Sequence, residues 1–527
     1  MQYRYFALAL ALACPRRGLR RVVGPGLLLL IAGACGQKNT LPQQPTSKRI
    51  VVTITGGTLG TPAAPQPINF SPSNAYTVHL EMRNEDDTVD TDFNSFVRIS
   101  SKPGTVYTVN GGQDGRNVQL VNGVADNVDV TIVAAFGQTR IWAQDIGYVP
   151  VADLTRNPPP QCANGLDDDG DGRVDSADPG CFAPNDDDET TGTGALGVSD
   201  LIYYARPRIA DVRGATTTGG TGTPFPYEQV DIDTGYDLTT NAFKWDTVVT
   251  GLASDGFFAT DLQNATNDPQ KGLMYNSVFA YTFSAPTKIG VCDRLRLLQA
   301  TSSDFFGYTE LNFPTWAVEY WDPQVRPCLV PEATVLAPGD WNNASLMFKN
   351  ESGLVRVATD AANHVAIHVG GHMGSGRPTS ATGFKPDQDG SGNWRTNCDL
   401  NGDGKVNFSD TNGEAACANA CEADVECTEF SSFSSQGGFA IVVQDTQTAT
   451  NVAKAQGEAT AATSFDPVIN AGQPLTSFTG MLRYFSGGNQ FTIQARCDDD
   501  VRFKSGDLPL DSSHACVNQN GNNPEQQ

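Results

Sequence analysis

Apolar residues in this chain come in short runs that alternate with polar ones and stop at Gly, Pro, Asn or Asp, as in "RIVVTITG" from Arg49 and "TRIWAQD" from Thr139. Period-two alternation puts one face of a strand in a core and the other in water, and no long stretch keeps a helical period instead. The 53 glycines and 31 prolines supply turns at short intervals. The fold class this predicts is mostly β. A chain of 527 residues exceeds a single core and suggests about three domains of ordinary size.

The N-terminus predicts where the chain works. Arg16, Arg17, Arg20 and Arg21 precede "VVGPGLLLLIAGAC", a run too short to cross a bilayer as a helix and shaped like a secretory signal. Its end, Ala32-Gly33-Ala34-Cys35, resembles the lipobox of bacterial lipoproteins, with Ala32 where Leu is usual. The resemblance implies cleavage before Cys35 and acylation of that cysteine, a stable tether to a membrane because more than one chain is attached. Gly36, not Asp, follows, so the family's usual rule does not retain the protein at the inner membrane. The expected location is the cell envelope, at the outer membrane or cell surface.

Charge narrows the partners. The chain holds 35 basic and 59 acidic side chains, a formal −24; residues 1–34 take away five arginines and no acid, which leaves −29. A partner bound through phosphates needs Lys and Arg to replace its counterions, so nucleic acid is not expected. An envelope or extracellular protein or a glycan is. Of 12 cysteines, Cys14 leaves with the signal and Cys35 is lipidated under that resemblance. An even set of ten remains, which in an exported chain reads as five disulfides. Cys162–Cys181, Cys292–Cys328 and Cys497–Cys516 are isolated pairs. Cys398, Cys417, Cys421 and Cys427 allow three pairings, of which Cys398–Cys417 with Cys421–Cys427 is favoured.

Organisation follows from punctuation. Residues 35–48 form a polar tether, and strands alternate through 49–151. The stretch "VQLVNGVADNVDVTIVAAFGQTRIWAQD" resembles bacterial immunoglobulin-like surface domains, which implies a two-sheet sandwich there. Residues 152–199 are an acidic linker, after which strands resume. "GFFATDL" from Gly256 and "GFAIVVQD" from Gly438 are each followed, at Gly290 and Gly472, by a strand, a Gly-containing turn and a strand. This layout resembles the OB-fold barrels of secreted nuclease-associated proteins. It implies one barrel in 200–330 and a second in 331–527, with "SGLVRVATD" as an early strand of the second and an insertion at about 370–430.

Two twelve-residue stretches share a ligand spacing. In "DDDGDGRVDSAD", Asp167, Asp169, Asp171, Asp175 and Asp178 stand at positions 1, 3, 5, 9 and 12, with Gly172 at 6, the Arg173 carbonyl at 7 and Val174 at 8. In "DLNGDGKVNFSD", Asp399, Asn401, Asp403, Asn407 and Asp410 fill the same positions around Gly404, Lys405 and Val406. Oxygens so spaced surround one calcium ion, Gly allows the sharp turn, and the valine is expected to point into protein. The first loop resembles thrombospondin type 3 or EF-hand loops and the second a dockerin half-repeat, though Asp stands where the EF-hand has a bidentate Glu. Cys162 and Cys181 frame the first loop and Cys398 and Cys417 the second, each pair with 18 residues between its members.

Other chemistry is thin in the sequence. His364, His368 and His372 have the spacing of a helical zinc face, but Val365, Ile367 and Val369 alternate with them and make a strand the better reading. Phe305, Phe306, Tyr308, Phe313, Trp316, Tyr320 and Trp321 read first as hairpin core and second as a stacking platform. GxSxG, Walker, HExxH and kinase patterns are missing from the sequence. The expected function is that of a lipid-anchored, calcium-stabilised, non-catalytic surface protein, structural or adhesive. The rival readings are a binding module whose barrels hold an oligosaccharide, a protein or a nucleic acid strand, and an enzyme whose site is assembled from loops.

Overall fold

The computed structural model describes residues 48–72, 74–112, 116–145, 159–168, 172–178, 181, 184, 195–263, 274–370, 413, 438–458, 465, 470, 472–485, 490–504 and 516. It is mostly β, with 48% of residues in strands against 7% in helices.

The first unit holds β1 (Arg49–Gly56), β2 (Asn74–Arg83), β3 (Phe96–Lys102), β4 (Thr105–Val109), β5 (Asn117–Gln119), β6 (Val124–Val133) and β7 (Gln138–Asp145). The alternation in the sequence becomes alternation of burial. In β3, Val97 and Ile99 are wholly buried while Arg98, Ser100 and Lys102 lie towards solvent. One sheet has the order β1-β2-β6-β4 and the other contains β5-β3-β7. Tyr76, Val78 and Leu80 of the first meet Val97, Ile99 and Ile141 of the second in a single core. At the β5–β6 turn Gly123 has φ +74°, and a Cβ there would lie 2.1 Å from the Asp90 carbonyl oxygen, so the turn needs glycine.

β8 (Leu196–Val198) and β9 (Ile202–Tyr203) return to this unit and pair antiparallel with β7. The acidic segment therefore leaves one sheet and comes back to it. Strands of two and three residues carry no alternation for a sequence to show.

Two closed rings follow. After a short helix, α1 (Ile209–Val212), come β10 (Gln229–Asp231), the pair β11 (Tyr236–Asp237) and β12 (Ala242–Phe243), then β13 (Thr247–Ala253), β14 (Gly256–Asp261), β15 (Ser277–Tyr281), β16 (Arg294–Phe305) and β17 (Tyr308–Glu319). The last five close in the order β13-β14-β15-β17-β16, with β16 bonded back to β13 at Val248↔Arg294. β15 and β17 are parallel, and the other neighbours are antiparallel. β14 is buried along all six residues, as a strand covered on both sides must be.

The second ring repeats that connectivity. β18 (Thr334–Val335), α2 (Ala344–Asn350) and β19 (Leu354–Ala358) lead into β20 (Val365–Val369), β21 (Gly438–Asp445), β22 (Thr450–Glu458), β23 (Pro474–Phe485), β24 (Gln490–Gln494) and β25 (Val501–Phe503). β20-β21-β22-β24-β23 close on β20, again with one parallel pair, β22–β24. "SGLVRVATD" does form a strand, β19, but it pairs with β23 outside the ring, which starts at β20.

A small core joins the rings: Phe258, Phe279 and Tyr308 from the first pack with Met481 of β23 and with Leu354 of the neighbouring β19. Arg213, just past α1, pairs with Glu351, just past α2, and both side chains are completely buried. Arg213 Nη2 also donates to the Phe348 carbonyl at 2.6 Å, and burial pulls the guanidinium's pKa down to about 10. Arg496 Nη1 donates to the Thr250 carbonyl across the same junction at 3.0 Å.

Candidate functional site

The first acidic loop is folded on itself. The Gly172 amide donates to Asp167 Oδ2 at 3.0 Å, and Gly172 takes φ +88°, which a side chain would strain. Asp175 Oδ1 accepts from the Asn164 and Gly165 amides at 3.0 and 3.1 Å. Asp178 is buried and Arg173 exposed. Val174 is 38% exposed, which corrects the expectation that it points into protein; so small a loop has no core to receive it. Asp169 and Asp171 lie outside the described residues. So does the whole second loop, Asp399, Asn401, Asp403, Lys405, Asn407 and Asp410, together with Cys398, Cys417, Cys421, Cys427, Cys35 and His372.

The three isolated cysteine pairs are bonded as their spacing predicted: Cys162–Cys181, Cys292–Cys328 and Cys497–Cys516, with Cα separations of 5.6, 5.1 and 5.1 Å. Asp500 lies close to Cys497 and Cys516, but two sulfurs already joined offer no thiolate to a metal. His368 sits within strand β20, opposite Val442 and Pro474, as alternation with valine and isoleucine implied. His364 precedes that strand in a turn at φ +57°.

The aromatic series from Phe305 divides. Tyr308 is buried, and Trp316 packs edge-on against Phe257 at 5.4 Å. Phe305, Phe306 and Phe313 are 57%, 74% and 72% exposed, so the hairpin is not all core. Phe313 stacks on Phe283 at 4.8 Å, and Phe283 in turn meets Tyr281 at 4.2 Å.

At the junction of the rings stands a cluster of charges. Arg483 lies 4.6 Å over the Phe279 ring and 3.9 Å from the Asp255 carboxylate. Burial opposes its charge, and Tyr308, Asp255, Glu458 and Glu310 together outweigh that and hold its pKa up. Glu310 is pushed up to about 7 by burial, with Arg483 opposing and Asp255 adding to the shift. Burial pushes Tyr308 up to about 12, and its hydroxyl accepts from Ser352 at 3.1 Å.

The second ring carries a pocket of about 380 Å³ that sequence reasoning missed. It opens where α2 lies beside the parallel β22–β24 pair. Phe348, Tyr484 and Phe491 form one wall with ring centroids 4.9 to 5.0 Å apart. Trp341, Gln456 and Gln490 complete the polar lining, with Lys454 the one charged side chain among the lining residues. These residues come from four separate stretches, so no local motif announces them. The barrel 1 hairpin tip approaches the same wall: a Cβ on Gly307 would lie 3.7 Å from the Tyr484 ring.

No protein-family model, curated protein or solved structure matches the chain. Among the described residues no helix is long and apolar enough to cross a membrane.

Proposed function

We propose that this is an exported, lipid-tethered envelope protein whose work is binding, carried by the second of two OB-like barrels. The observation that carries this reading is the aromatic and amide-lined pocket beneath α2, whose volume falls within the range of about 300–1,000 Å³ common for ligand sites. Aromatic walls with a few placed amides favour holding a ligand over transforming it, and Lys454 is the one charged side chain in this lining. The ring order, with its third and fifth strands parallel, supports reading both barrels as OB-like. Two sheets around one core support an immunoglobulin-like first domain, which would serve as a spacer between Cys35 and the barrels.

Calcium is the second element of the proposal. Asp167, Asp169, Asp171, the Arg173 carbonyl, Asp175 and Asp178 offer hard oxygens alone, which suits calcium over softer metals. The amide of Gly172 on Asp167 and those of Asn164 and Gly165 on Asp175, which fold the described part of the loop on itself, support this reading. Asp399, Asn401, Asp403, Lys405, Asn407 and Asp410 would form the second site. The ion would stabilise loops that burial cannot order.

A melting-temperature screen tests the binding role. Saccharides, nucleosides, short peptides and acyl amides, each at millimolar concentration, are added to the purified chain. A ligand held at 100 times its Kd stabilises the fold by about 2.7 kcal/mol, a rise easily seen. At least one class should raise the midpoint in the wild type and fail to do so in the Trp341→Phe/Gln456→Ala double variant. A midpoint unmoved by every class overturns the reading.

A further inference from the structure

Three residues that line this pocket each carry a buried polar atom without a hydrogen-bond partner: Trp341 Nε1, Gln456 Oε1 and Gln490 Nε2. Gln456 is itself only 8% exposed. Folding takes such atoms from water and normally returns a partner, so three at one cavity indicate a ligand that supplies it. Gln456 on β22 stands in register with Thr492 on β24, two residues from Gln490, so both amides lie along the parallel seam. Thr492 Oγ1, directly opposite Gln456 in register, is buried and unpartnered as well.

From this geometry we infer that the pocket binds a neutral saccharide ring, an assignment that rests on the reading of the second barrel as a binding module. The unpartnered set includes two donors, the indole and an amide nitrogen, and an amide acceptor. A hydroxyl both gives and takes a hydrogen bond, and a sugar carries several on one small frame. A phosphate or carboxylate only accepts, and would leave Gln456 Oε1 facing another acceptor. An alkyl chain would satisfy none of the three. The rings of Phe348, Tyr484 and Phe491 meet at 54°, 78° and 48°, which makes an angled apolar wall. The C–H face of a sugar packs against such a wall. A planar base could stack on one of these angled rings only, and the wall offers it no parallel second face. The chain's net charge of −24 also repels a nucleotide's phosphates. The seam joins the third and fifth strands of the barrel, whereas OB folds usually hold their ligands on the face of the second and third.

Calorimetry on the purified chain decides the matter. The probes are glucose, galactose, N-acetylglucosamine and their 1,4-linked disaccharides, with adenosine and a blocked phenylalanine peptide as other classes. At least one saccharide should bind, and Trp341→Phe and Gln456→Ala should each weaken it about fivefold or more. Leu238→Ala, on the exposed turn between β11 and β12, should leave the affinity within twofold. Melting curves of the variants show that their fold persists. Binding of adenosine or the peptide without any saccharide overturns the assignment and leaves the binding module standing. Saccharide binding that neither variant weakens places the sugar elsewhere and overturns the assignment too. If no probe of any class binds, both readings fall.

Discussion

Glu310 on β17 faces Phe279 of β15 across one edge and Ser303 of β16 across the other. Its pKa of about 7, raised from 4.5 by burial, makes it a charge the fold holds at a cost at neutral pH. A carboxyl with a higher pKa folded than unfolded binds its proton more tightly in the fold. Its contribution is therefore full below about pH 4.5 and is lost as the pH climbs through about 7. Glu310→Gln removes that slope. Urea unfolding at pH 5 and pH 8 should show the wild type losing more stability over the interval than the variant. The difference is at most about 3 kcal/mol, and less to the extent that solvent screens the site. Asp211, Asp231 and Asp261, which burial also raises, are common to both chains and cancel in the comparison. Equal slopes would mean that Arg483 keeps Glu310 ionised throughout.

Among elements, the two acidic loops differ in the charge they offer. The first brings five carboxylates, Asp167, Asp169, Asp171, Asp175 and Asp178, and the second three, with Asn401 and Asn407 as neutral oxygens. Calcium titration by calorimetry should show Asp171→Ala losing more affinity than Asn401→Ala. Each site should sit in the range of extracellular modules, about 10⁻⁴ to 10⁻³ M. A tighter second loop would make rigidity decisive over charge. What could be read beforehand follows from how local its signal was. β1, β3, β6 and β7 announce themselves because each alternates valine, isoleucine or tryptophan with polar residues over a full strand. The hairpins β16–β17 and β23–β24 were legible for the same reason. β22, "TNVAKAQGE", was not, since Ala, Lys and Gln carry little strand preference and gain their place from closure of the ring. The pocket was invisible because Trp341, Phe348, Gln456 and Tyr484 converge only through that closure. Tyr308 fell correctly into the core, while Phe313 did not: its φ of +53° interrupts the strand's regular backbone, and its side chain lies in solvent.

The whole molecule joins a two-sheet unit to two rings locked together by Phe258, Phe279, Tyr308, Leu354 and Met481 and by the buried Arg213–Glu351 pair. Removing one partner of such a pair strands a charge in the interior, so the junction holds the rings in a fixed relation. The proposed tether would carry all of this from one point. Labelled fatty acid should attach to the wild type and not to Cys35→Ala, and attachment to the variant would remove the anchor from the account. The return of β8 and β9 to β7 has one more consequence, for covalent continuity. The acidic segment leaves from the end of β7, the strands that follow it pair back onto β7, and Cys162 is bonded to Cys181. The backbone between 185 and 194 is thus a chemical link where a physical one already exists. Were it severed, the molecule would become two chains by bond count while its sheet still held them as one body.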